Sequence, residues 1–368
     1  MTTTPDPTTS SVDEEALGAY AEGLFGAGLQ TMELVLVHLG RRLGLYEALR
    51  GTPSTAGELA QATGIDERYA REWLEQQAMA GTVTVGDPTA PPAARRFALP
   101  EEHAIVLLDE EHPAYSGALA DAFTPIARTF EALLGAFRAG TGVPFAEYHL
   151  HDMQAGFTRP MFANELVSAW LPALPDVHAR LEAGEALRVA DIGCGEGWAA
   201  IYLAEAYPNV EVDGYDLDDA SVAAARKHAS DRGVADRVHF EVQDVTADPG
   251  PSGYDLVLAV EVIHDLADPV DVLAAMDRIS RPGGAVLIVD ENAAETFTPD
   301  PEDPIQRLLY AFSVLHCLPA GRTHEHSAAT GTVMRPDTFA GYATAAGFSD
   351  VTVLPVDHPI FRFYRLGR

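Results

Sequence analysis

A run of glycines, three strand-end aspartates and a His-Asp pair carry the chemistry that can be read directly from the residues. The segment Asp191-Ile-Gly193-Cys-Gly195-Glu-Gly197 follows a β-branched stretch and opens an Ala-rich helix. Glycines at this spacing let the backbone turn tightly and admit a ligand against the chain and the helix N-terminus. Asp216 ends the next predicted strand, 25 residues after Asp191. A carboxylate there can accept both hydroxyls of an adenosine ribose. The third strand runs into VQDV and places Asp244 where its side chain can take an adenine amino group. Each aspartate alone reads as a solvated strand end. Their order on three consecutive strands argues for one nucleoside-binding edge.

The fourth strand, YDLVLAVEV, leads into IHDLADP and sets His264 and Asp265 just past its carboxyl end. An isolated histidine there is ordinarily bland, although imidazole titrates near neutral pH, where a phenol or enol must lose its proton to become a competent nucleophile. Asp290, at the end of the strand AVLIVDE, is placed to orient the ring, with Glu291 as a competitor. A metal reading uses the same residues. His316 lies 52 residues beyond His264, and two histidines with the carboxylate of Asp265 make a set for Fe(II) or Zn(II) with open positions. His324 and His326 read as solvated loop histidines.

The elements that must hold these residues alternate from residue 185 onward. Short β-branched runs (RVADI, VEVDGYD, RVHFEV, YDLVLAV, AVLIVDE) are separated by Ala-rich helices, which argues for a parallel, doubly wound α/β sheet over 185–368. An excursion at 292–335 holds a Pro/Asp loop, the apolar helix QRLLYAFSVLHCL and a Gly/His-rich loop near the sheet's carboxyl edge, and is a candidate lid. Upstream, residues 14–105 read as helices followed by a hairpin. AGELAQATG and DERYAREWLEQQAMAG form a helix-turn-helix about Gly64, and TVTV with RRFAL form the wing behind it. Residues 106–184 read as a helical linker interrupted at Gly140, Pro144 and Pro160. Residues 1–13, rich in Thr, Pro and Ser, read as a disordered tail.

Composition narrows the function classes. The 368 residues carry 24 Lys and Arg against 55 Asp and Glu, a net charge of −31, which repels phosphate backbones and anionic lipids. The second helix of the helix-turn-helix carries four acidic residues (Asp66, Glu67, Glu72, Glu75) against Arg68 and Arg71, where a major-groove reader needs positive charge. No nucleic-acid or membrane partner is expected. Two cysteines, Cys194 and Cys317, and a start without a signal peptide predict a cytoplasmic protein.

The ordered aspartates and the DIGCGEG loop resemble the class I S-adenosylmethionine-dependent methyltransferases over all of 185–368. The resemblance implies a seven-stranded Rossmann-like sheet whose last strand, FRFYRL, runs antiparallel. It implies a cofactor site of Asp191, Gly193, Gly195, Gly197, Asp216, Leu217, Asp244, Val245 and Val260. Val260 stands where plant relatives often carry a lysine, so that contact is absent. With the helical and winged-helix segment in front, the whole chain resembles the dimeric small-molecule O-methyltransferases of secondary metabolism. FTRPM at 157–161 is similar to their Phe-x-x-x-Met element, which makes Phe157 and Met161 pocket candidates together with Trp170 and His316. In those relatives the His-Asp pair deprotonates the acceptor hydroxyl, here His264 with Asp265. The expected activity is therefore methyl transfer from S-adenosylmethionine to a small hydroxylated acceptor by a homodimer. One alternative is a metal-dependent C-methyltransferase acting on an α-keto acid enolate, with His264, Asp265 and His316 as ligands. Another, from a different class, is a winged-helix regulator that binds the cofactor without turnover.

Overall fold

The structure is a computed structural model that describes residues 12–248 and 250–368. The tail expected at 1–13 therefore falls, for residues 1–11, outside the described residues. The chain divides into two compact units, one ending at Leu108 and the other running from Asp109 to Arg368.

In the first unit a long helix, α1 (Glu14–Arg42), is followed by α2 (Leu45–Leu49), α3 (Ala56–Thr63) and α4 (Glu67–Met79). Thr55 and Glu58 close a capping box on α3, each side chain taking the other's backbone N–H at 3.3 and 2.8 Å. Gly64 ends that helix in the left-handed region at φ 72°, and Asp66 caps the next by accepting from Arg68 N and Tyr69 N. Two short strands, β1 (Thr84–Val85) and β2 (Phe97–Ala98), pair antiparallel as the wing. Tyr46 and Trp73 meet edge to face at 5.1 Å in this unit's core, and the Tyr46 hydroxyl donates to Gln77 Oε1 at 2.6 Å.

The second unit holds a seven-stranded sheet built from β3 (Leu187–Ile192), β4 (Val210–Asp216), β5 (Val238–Val242), β6 (Tyr254–Val260), β7 (Ser280–Glu291), β8 (Asp350–Val353) and β9 (Phe361–Gly367). Their order across the sheet is β5-β4-β3-β6-β7-β9-β8, with β9 antiparallel to both neighbours. The chain winds outward from β3 through β4 to β5, then returns to lay β6 on the other side of β3. That reversal opens a crevice at the carboxyl ends of β3 and β6, the place where open α/β sheets bind ligands. The glycine loop follows β3 and the His264 segment follows β6, so both candidate motifs meet at this crevice.

Three expectations for the helical stretch are corrected. Pro160 does not interrupt the chain: it sits in the last turn of the helix His151–Met161, which runs on without a break into a π-helical segment, Phe162–Trp170. Proline lacks the N–H that would bond the Gly156 carbonyl one turn back, and the helix continues with that one bond missing. Trp170 is not a pocket residue. It is fully buried and ringed edge to face by Phe162, Phe361 and Phe363 at 5.2–5.8 Å, which fastens the π-helical segment to β9. Met161 also packs into this core rather than on the cavity wall. An amphipathic helix shows its buried face at three- and four-residue spacing, and that pattern does not say whether the buried face meets a core or a ligand. Trp170→Ala is expected to lower the free energy of unfolding by about 3–5 kcal/mol, read by urea denaturation.

Candidate active site

One cavity of about 500 Å³ runs along the crevice, within the size range of small-molecule sites. The glycine loop forms one end. Gly193 (φ 69°) and Gly195 (φ 51°) line the cavity and adopt the left-handed region that only glycine enters without strain. A Cβ on Gly195 would meet nothing within 4 Å, so the loop is an open cradle at that point. Gly197 is corrected to a packing role. It does not line the cavity, and a Cβ on it would fall 2.4 Å from Phe240 Cζ and 2.9 Å from Ala225 Cβ. Asp191 likewise lies behind the loop, not on the wall. Burial, then the nearby charge of Asp216, pushes its carboxyl up to about 7, and its Oδ2 has no partner.

Asp216, the last residue of β4, faces the cavity with both oxygens held. Oδ2 accepts from Gly195 N and Oδ1 from Asp218 N, each at 2.9 Å. Burial raises its pKa, and these two donors oppose the rise. A carboxylate fixed in this way keeps its remaining lone pairs for hydroxyls of a ligand. Leu217, Asp244, Val245 and Val260 also line the cavity. Asp244 lies two residues beyond the end of β5, and its Oδ1 is taken by the Thr246 hydroxyl and N–H at 2.6 and 2.8 Å, an Asx turn that holds it ionised. An adenosyl group with a methionine chain fits this lining: an open glycine cradle, a pinned carboxylate for the ribose hydroxyls and the apolar side chains of Val245 and Val260.

Three further residues at this end were not singled out from the sequence. Glu196 lines the cavity, and burial followed by the charge of Asp152 pushes it up to about 6. His151 Nε2 stands 3.0 Å from Asp218 Oδ2. Trp198 is clamped between the Arg159 guanidinium, 3.8 Å above its ring, and the His228 ring at 4.5 Å. Glu196 was legible as the one charged residue between two loop glycines. Trp198 was legible as the residue that directly follows the glycine loop, and His151 reaches the site only through tertiary packing.

At the other end, His264 is buried at 2% exposure in a single turn, Ile263–Asp265. Its Nδ1 shares a hydrogen bond with Asp290 Oδ1 at 2.8 Å, and Glu291 Oε2 also lies 2.8 Å from that nitrogen. Asp265 Oδ1 stands 3.1 Å from Nε2, off the line of a well-aligned hydrogen bond, so both ring nitrogens face a carboxylate. Burial alone would depress the imidazole, but Asp265, Glu291 and Asp290 together carry its pKa well above the ordinary value. Asp290 is held at about 2, since the His264 charge and its hydrogen bonds outweigh burial. Burial pushes Glu291 well up, and Glu261 adds to it. Glu261, also unforeseen, sits at φ 61° directly after β6. Burial raises it to about 8, Asp290 and Asp265 add to the rise, and His264 opposes it.

Phe157 and His316 line the cavity, and Met161 and Trp170 do not. Tyr310 and Leu315, on the segment 292–335, are off the wall as well. Tyr310 instead packs on Phe297 and takes a bond from Arg335. Among the described residues two sets of donor atoms stand within 4.8 Å of one another: His264, Asp265 and Cys317, and His264, Asp290 and Glu291. His316 belongs to neither. Its ring is held edge-on by Tyr148 at 4.6 Å and Phe145 at 5.8 Å, with Nδ1 3.5 Å from Cys317 Sγ.

A family model described as a methyltransferase domain matches residues 183–311, and one described as an Rv2258c-like winged HTH domain matches residues 31–109. The chain thus carries a methyltransferase domain of the class I fold behind a winged-helix domain, which supports an S-adenosylmethionine-dependent methyltransferase. It is similar to the ubiquinone biosynthesis O-methyltransferase of Nitrosospira multiformis, 29% identical over 196 residues, which cover 52% of this chain and 74% of that one. The structure of mitomycin 7-O-methyltransferase is 23% identical with a TM-score of 0.68, covering 96% of this chain and 99% of that one. Human N-acetylserotonin methyltransferase in complex with SAM is 17% identical with a TM-score of 0.64, covering 99% and 100%. At these identities the solved structures establish the shared fold. No helix among the described residues of the methyltransferase is long and apolar enough to cross a membrane.

The two glycines separate cradle from packing. Gly195→Val is expected to weaken S-adenosylhomocysteine binding by at least about tenfold in calorimetry. Gly197→Ala is expected to lower the free energy of unfolding by about 1–3 kcal/mol.

Proposed function

We propose that this methyltransferase moves the methyl group of S-adenosylmethionine to a hydroxyl of a small, largely apolar acceptor, with His264 as the general base. The observation that carries the reading is the His264 imidazole, anchored on Asp290 at 2.8 Å at the bottom of an apolar cavity that is continuous with the glycine loop. The relatives named above are O-methyltransferases or methylate small molecules, which supports oxygen as the target.

The cofactor's sulfonium supplies an activated methyl, and the chain's residues do the rest. Asp216 takes the ribose hydroxyls, Gly193 and Gly195 admit the methionine chain, and Asp244, Val245 and Val260 bound the adenine with Leu217 at the rim. Asp290 fixes the imidazole through Nδ1 and leaves Nε2 for the acceptor's proton. Asp265 stabilises the imidazolium that forms. Phe157 and Phe312 with the segment 304–321 exclude water, which keeps the acceptor oxygen desolvated and nucleophilic.

Tyr20, Leu24 and Phe25 are exposed along one stretch of α1, and we infer that a second copy covers them in a homodimer. The two buried free cysteines suit a cytoplasmic enzyme, and the apolar cavity suits an acceptor from secondary metabolism. The second reading, C-methylation of a metal-bound keto-acid enolate, is favoured by the buried donors around His264, and its donor set becomes His264, Asp265 and Cys317 in place of His316. Elemental analysis of protein purified without a histidine tag separates the two. Stoichiometric iron or zinc supports the second reading, and its absence the first.

His264→Ala is expected to lower kcat by about 10²–10⁴ while S-adenosylhomocysteine still binds. Because the neighbouring carboxylates raise the His264 pKa, kcat/KM is expected to climb with pH along a limb displaced above the ordinary imidazole range. Asp265→Asn removes a negative charge that stabilises the imidazolium, so this limb moves to lower pH. A flat profile, or a limb unmoved by Asp265→Asn, removes His264 as the base.

A further inference from the structure

Of the cavity-lining residues that the segment 292–335 supplies, Ile305, Leu308, Leu309, Phe312 and Ala320 are apolar, and His316 and Thr332 stand out beside Cys317 as polar. His316 and Thr332 are each 2% exposed, both line the cavity, and neither His316 Nε2 nor Thr332 Oγ1 has a hydrogen-bond partner. Buried polar atoms are nearly always paired, so two orphans on one cavity wall mark where a ligand's polar atoms belong. His316 is not a second charge. Burial lowers its pKa, and its ring is fixed edge-on against Tyr148 and Phe145.

Both orphans sit one residue from groups that touch His264. Cys317, next to His316, has its Sγ within 4.8 Å of the donor atoms of His264 and Asp265. Gly331, next to Thr332, donates its N–H to the His264 carbonyl at 3.1 Å. Both orphan side chains therefore hang from stretches of chain that pack on the His264 turn.

We propose that His316 and Thr332 read a second oxygen, a hydroxyl or carbonyl on the carbon adjacent to the one bearing the methylated hydroxyl, so that the acceptor class is a planar compound with vicinal oxygens. The proposal rests on the O-methylation reading and names its substrate class. Hydrogen-bonded pairing discriminates strongly, because the analogue lacking the second oxygen leaves both side chains unpaired.

The test is calorimetric binding of 2,3-dihydroxynaphthalene, 2,7-dihydroxynaphthalene and 2-naphthol to the enzyme loaded with S-adenosylhomocysteine, with and without chelator. The 2,3-diol is expected to bind at least about tenfold tighter than either comparator, with chelator making no difference. His316→Leu and Thr332→Val are each expected to bring that ratio several-fold closer to one, and 2-naphthol binding reports that the cavity is intact in each. Equal binding of the three probes, failure of the 2,3-diol to bind, or an unchanged ratio in both variants overturns the proposal. So does a preference that chelator abolishes, which would show a metal reading the vicinal pair. Since the readout is binding, it is independent of the base. Failure of bound 2-naphthol to be methylated at oxygen would overturn the O-methylation reading without altering the ratio.

Discussion

The charge balance around His264 is the constraint on which the rest of the site depends. One imidazole is buried among Asp265, Asp290, Glu291 and Glu261, and charges in such a place are tolerated only when they are paired or neutralised. The cluster meets that condition by division. Asp290 and Asp265 stay ionised against the imidazolium, while burial pushes Glu291 and Glu261 toward their neutral forms. Removing any one member shifts the others, so the cluster titrates as a unit. The same division gives the ring two unlike ends: Nδ1 is tied to Asp290, while Nε2 has no aligned partner.

The sheet explains why this cluster meets a nucleoside site at all. β3 and β6 are neighbours although two strands and two helices separate them in sequence, and their carboxyl ends deliver the glycine loop and the His264 turn to one crevice. β7, the next strand, brings Asp290 and Glu291 to the same edge. The glycine loop itself divides its labour. Gly195 leaves space for a ligand, and Gly197 lets the following helix lie against Phe240 and Ala225. Three identical residues in a short motif thus serve two different physical needs.

Much of this was legible in the chain. Local signals are strong where a single residue type meets a backbone requirement: the Thr55-Glu58 capping box, the left-handed Gly64, the glycines after β3 and the alternation of β-branched and Ala-rich runs. Asp216, Asp290 and the His-Asp pair were legible because a charged residue ending an apolar strand has nowhere to go but the sheet's edge. Glu261 carried the same signal and was overlooked beside His264.

What only the tertiary structure decided is which buried faces meet a ligand. Phe157, Met161, Trp170 and His316 share one sequence signature, a bulky side chain on a buried helical face. Packing sends Phe157 and His316 to the cavity, and Met161 and Trp170 to the core. The sequence by itself determined the elements, their order and the chemistry at each strand end, because those follow from local backbone geometry and hydrophobic period. It could not determine that Cys317, rather than His316, stands beside His264 and Asp265. That neighbour is set by how the segment 304–321 packs over the crevice, a matter of contacts between residues more than fifty positions apart.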